Sequence, residues 1–70
     1  MGRTGTWFAF QGLAIVPDVV TTAKGLGAGY APVGAVLCRE HVYAAVAAGS
    51  RLFDLGHTWD GAPLSSAVGL

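Results

Sequence analysis

Charge is the scarcest property of this 70-residue chain. Four basic and four acidic residues cancel to a formal net charge of zero, and only 11% of positions carry Asp, Glu, Lys or Arg. Arg3, Arg39, Arg51 and the single lysine, Lys24, are scattered, which argues against the basic stripe of a nucleic-acid partner. Cysteine occurs once, so no intrachain disulfide can form. Cys38 closes an apolar run and is expected to serve as a small buried hydrophobe. No window of about 18 apolar residues is available to cross a bilayer. The opening residues lack the continuous apolar stretch of a signal peptide, so a cytoplasmic parent with no membrane partner is expected. No internal repeat or low-complexity tract is present.

What the chain does have is apolar residues (53%) and eleven glycines. So apolar a balance is expected of a piece from the inside of a larger protein. A chain this short buries only about 60% of its unfolded surface, which makes independent folding doubtful.

The organising stretch is Val19-Val20-Thr21-Thr22-Ala23-Lys24-Gly25-Leu26-Gly27-Ala28-Gly29-Tyr30. Its β-branched run reads as a buried strand over about Val19 to Ala23, and the glycines that follow free the backbone to turn or to approach a ligand. An amine is thereby delivered to the carboxyl edge of a sheet, where open α/β folds put their chemistry.

Around it, Met1 to Gly5 reads as a loop, and Thr6 is placed to cap a short helix through Trp7, Phe8, Phe10 and Leu13. A second strand is expected over Val33 to Cys38. It is too close in sequence to the first for a helical crossover, so the two should pair antiparallel. Glu40 to Ala48 reads as a helix with Val42, Ala45 and Val46 on one face and Gly49 at its end. A loop through Ser50 to Gly61 follows. Pro63 suits the first turn of a last helix, with Leu64, Ala67 and Val68 on one face and no stop signal before Leu70. Both ends are therefore read as cut.

Four blocks in order carry a family resemblance: Gly2-Arg3-Thr4-Gly5-Thr6-Trp7-Phe8-Ala9; Pro17 to Gly27 running into Gly29-Tyr30; Pro32-Val33-Gly34-Ala35-Val36; and Gly56-His57-Thr58 with Gly61 and Pro63. In these the chain resembles the class III (subgroup II) aminotransferases of fold-type I. The resemblance implies an α/β fold in which residues 1–70 form part of the cofactor-binding large domain, with part of a mixed sheet and flanking helices. It implies pyridoxal phosphate as cofactor, no metal, an amino donor with a 2-oxo acid or aldehyde acceptor, and a homodimer. The aspartate that pairs with the cofactor's pyridine nitrogen in the family would lie a few residues before Met1, which fits an interior position as well as a start.

By that resemblance Lys24 is the catalytic, cofactor-binding lysine that forms the Schiff base. A Schiff base needs a primary amine that spends time uncharged, and apolar surroundings would favour this. Thr58 is the second cofactor-binding residue carried over, donating to the phosphate bound by the neighbouring subunit. Without the flanking match, Thr58 reads as a loop threonine bonded to its own backbone. The Gly25, Gly27, Gly29 spacing matches neither a dinucleotide fingerprint nor a P-loop and is read as conformational. His57 packs, bonds a neighbouring loop or orients Thr58, His41 is solvated, and Arg3 braces its loop or meets a partner subunit. Trp7 and Tyr30 are read as core or interface aromatics, with a place at the active-site mouth open to Tyr30 through its closeness to Lys24.

Two departures from the family pattern, Gln11-Gly12 and Trp59-Asp60-Gly61-Ala62-Pro63, bear on substrate choice more than on the chemistry. An aminomutase, racemase or decarboxylase of the same fold, and an inactive remnant, stay open beside the aminotransferase reading.

Overall fold

The first regular element is tighter than the sequence suggests. In the computed structural model, which describes residues 1–70, Ala9–Leu13 form a 3-10 turn in place of an α-helix from Trp7. Thr6 caps nothing: its Oγ1 donates to the Phe8 carbonyl (2.8 Å), while Gln11 Oε1 accepts from the Phe8 N–H (2.9 Å). Phe8 and Phe10 stack with ring centroids 5.3 Å apart. Gly12 weakens any continuation, and Ala14 turns the chain out in a left-handed conformation (φ 52°).

Strand β1 (Val19–Thr22) and strand β2 (Ala35–Cys38) form an antiparallel two-stranded sheet in the register Val19↔Cys38 through Thr22↔Ala35. The Arg39 N–H donates to the Asp18 carbonyl at 2.9 Å and carries the ladder one step further. Each strand is shorter than the sequence reading, with Ala23, Val33 and Gly34 falling into the connection. This hairpin is the whole of the sheet; no further strand of the expected mixed sheet is present in residues 1–70.

Helix α1 (Glu40–Ala48) follows with the expected limits. Glu40 in its first turn suits the positive end of the helix dipole. Gly49 donates back to Ala45 (3.1 Å), but the left-handed residue is Arg51 (φ 57°), whose N–H reaches the Val46 carbonyl at 3.0 Å. His41 is solvated as expected, with Nε2 3.4 Å from an Asp18 carboxylate oxygen.

Helix α2 (Pro63–Gly69) begins on its proline, as expected. Of the expected inward face, Leu64, Ala67 and Val68, only Val68 is half-buried. Ala62, Ser65 and Val68 are the half-buried positions, and Leu64 is exposed.

Burial corrects the sequence reading most sharply. Only Gly27 and Ala31 are buried. The strand residues expected inside a sheet core are exposed or half-buried, and Cys38 is exposed. A two-stranded hairpin has two open faces, and α1 covers only the edge of one across a groove of about 770 Å³ lined by Val19, Val36, Val42, Val46 and Phe53. The molecule is a plate of 39 × 33 × 16 Å. Its radius of gyration is 14.3 Å, against about 11 Å for a compact chain of this length.

Candidate functional site

Lys24 stands two residues beyond the last residue of β1; because the sheet is antiparallel, this is the carboxyl end of β1 and the start of β2 rather than the common carboxyl edge that the sequence suggested. Ala23 is fully extended (φ −159°, ψ −154°), and Lys24 then adopts a left-handed backbone with φ 52°. This reversal starts a 3-10 turn over Lys24–Gly27, closed by Leu26 N–H to Ala23 carbonyl (3.2 Å) and Ala28 N–H to Gly25 carbonyl (3.1 Å). Two glycines make the geometry possible. Gly29 takes φ 83°, and a Cβ on Gly27 would stand 3.1 Å from Val33 Cγ2.

The turn opens onto a hollow of about 760 Å³. Ala23, Lys24 and Leu26 border it together with Trp59, Asp60 and, from α2, Ser65, Ser66 and Gly69. Lys24 is exposed, so the apolar surroundings expected around its amine are not supplied by these residues. Tyr30 is 87% exposed and does not line the hollow. Trp7 is likewise exposed, at 70%.

Thr58 is not among the residues lining this hollow, although the adjacent Trp59 is. It occupies the turn His57 to Asp60, which is closed by two bonds. The Asp60 N–H donates to the His57 carbonyl (2.9 Å), and the His57 N–H donates to Asp60 Oδ2 (2.8 Å). Thr58 Oγ1 makes no hydrogen bond within the chain, whereas the hydroxyls of Thr6 and Ser50 are tied to local backbone carbonyls. The self-bonded loop threonine is thus a description of Thr6, not of Thr58. His57 borders a second hollow of about 530 Å³ with Thr21, Thr22 and Leu55. Arg3 sits with the N-terminal loop beside a small hollow that also reaches Thr21 and Thr22.

The residues missed as site candidates are Trp59 and Asp60, which share the hollow with Lys24. Their signal was present in the sequence, because they are where the last block departs from the family pattern.

A family model described as "Aminotransferase class-III" matches residues 1–70. The chain is 44% identical over 69 residues to a probable aminotransferase of Mycobacterium tuberculosis, covering 99% of this chain and 15% of that protein. It is 51% identical over 68 residues to an acetylornithine aminotransferase of Halalkalibacterium halodurans, covering 97% and 16%. Against a succinylornithine transaminase of Photorhabdus laumondii it is 43% identical over 68 residues, covering 97% and 16%. The chain therefore spans 15–16% of the length of these curated relatives. No solved structure matches it.

Proposed function

Because this chain belongs to the class III aminotransferase family, we propose that the intact protein transfers an amino group from an amino acid, ω-amino acid or other amine to a 2-oxo acid or aldehyde, with pyridoxal phosphate as cofactor. The observation that carries this reading is Lys24, the one lysine of the chain, set in a left-handed turn just beyond the carboxyl end of β1.

The residues present fit the cofactor. A primary amine opens onto a hollow of about 760 Å³, within the range of about 300–1,000 Å³ usual for small-molecule sites. A hydroxyl donor with no partner in the chain suits a phosphate oxygen. When bound, pyridoxal phosphate supplies the electron sink that makes a proton on the amine-bearing carbon removable.

Lys24 Nζ is the point of covalent attachment. The same Nζ, when not engaged in holding the cofactor, would be the base that takes up and returns the proton of the donor's α or ω carbon. Thr58 Oγ1 donates to the phosphate. As the family resemblance implies, it serves the site of a neighbouring subunit in a homodimer.

The test is a transamination assay of the intact protein with amino acids, ω-amino acids, and the acetylornithine and succinylornithine for which two relatives are named. Lys24→Ala is expected to lower kcat by about 100- to 10,000-fold from lost proton transfer alone. Wild-type activity in Lys24→Ala would sink the reading. A decarboxylated, racemised or internally shifted product, with no acceptor aminated, would move the protein to another reaction class.

A further inference from the structure

We propose that Asp60 is a positioning residue that aims the Thr58 hydroxyl at the cofactor phosphate. This rests on the reading of Thr58 as a phosphate donor and extends it to the group that holds Thr58 in place.

A hydroxyl on an exposed turn has a freely rotating side chain and a mobile backbone. Its usefulness as a donor depends on how far the turn is held. The turn from His57 to Asp60 is closed from both ends by one residue: Asp60 donates its N–H to the His57 carbonyl (2.9 Å) and accepts the His57 N–H on Oδ2 (2.8 Å). Thr58 and Trp59 are the two residues inside that ring. The next bond, Ala62 N–H to Trp59 carbonyl (3.1 Å), joins the ring to Pro63 at the start of α2. Thr58 is thus fixed relative to a helix rather than left on a loop.

The carboxylate is a strong acceptor for the His57 N–H, but it also places a negative charge in the turn that faces a phosphate. These two effects separate under substitution. Asp60→Asn keeps an acceptor oxygen and removes the charge. Asp60→Ala removes both.

The experiment compares the affinity of the intact apoprotein for pyridoxal phosphate and for pyridoxal, which lacks the phosphate, followed by absorbance on titration. Asp60→Ala is expected to weaken pyridoxal phosphate binding about 3- to 10-fold, the value of one hydrogen bond. Pyridoxal binding stays unchanged, and Asp60→Asn binds pyridoxal phosphate at least as well as the wild type. In a Thr58→Val background the effect of Asp60→Ala disappears, because there is no hydroxyl left to aim. A loss shared equally by pyridoxal, or one that persists undiminished in Thr58→Val, would overturn the proposal, as would an Asp60→Ala protein with unaltered binding. The underlying reading fails separately, if Thr58→Val itself binds pyridoxal phosphate as tightly as the wild type.

Discussion

Lys24, the proposed cofactor lysine, also carries backbone strain, with φ 52°. A left-handed backbone costs a non-glycine residue about 1–2 kcal/mol, and such conformations persist where surrounding structure or function holds them. Glycine accepts φ 52° with little penalty, at the expense of a more disordered unfolded chain. In the intact apoprotein, Lys24→Gly is therefore expected to be about 0.5–1 kcal/mol more stable than Lys24→Ala, both lacking activity. Urea denaturation of the two variants measures this, and a more stable alanine variant would contradict the left-handed turn. The lysine's station beyond a strand was legible because a β-branched run ended at it. The location of the reversal was not, since the three following glycines each offered a cheaper place to turn than the lysine.

Among the elements, the packing between the Lys24 turn and α2 centres on Val33. Its Cγ2 lies 3.1 Å from where a Gly27 Cβ would be, and its Cγ1 3.4 Å from where a Gly69 Cβ would be. One valine is clasped between two glycines, with the closer approach at Gly27. Gly27→Ala is expected to destabilise the intact protein by about 1–3 kcal/mol through overpacking. Adding Val33→Ala should recover part of that loss. Thermal melts of the single and double variants decide the point, and a Gly27→Ala protein that melts with the wild type would refute the clasp. Elements were readable from sequence where local chemistry decides them, as in α1 with its helical spacing and terminal glycine, or the antiparallel pairing imposed by a short connection. The first helix was lost because Gly12 and three aromatics gave it no good interior. The inward face of α2 was misassigned because it packs small residues against the Val33 clasp while Leu64 points away, a choice set by a neighbour rather than by periodicity.

For the whole molecule, two buried residues in 70 are too few for a cooperative core. The isolated chain should show a broad circular dichroism melt with no sharp transition. A sharp, cooperative melt would show that these residues fold unaided. The apolar composition foretold this, and it also explains why Cys38 and the strand faces were expected to be buried: they have the side chains of a core without the partners. The proposed sharing of sites between subunits has its own consequence. In hybrids of a Lys24→Ala subunit with a Thr58→Val subunit, one site receives both lesions and the other receives none, so activity reappears on mixing. If Thr58 served its own subunit, every hybrid site would carry one lesion and mixing would restore nothing.

The central claim is that Lys24 Nζ holds the cofactor, and covalent mapping tests it most directly. The intact protein is loaded with pyridoxal phosphate, reduced with borohydride, digested and analysed by mass spectrometry. The account predicts a phosphopyridoxyl group on the peptide containing Lys24, absent from Lys24→Ala. A stable adduct on a different lysine of the intact protein, with Lys24 unmodified, would contradict it.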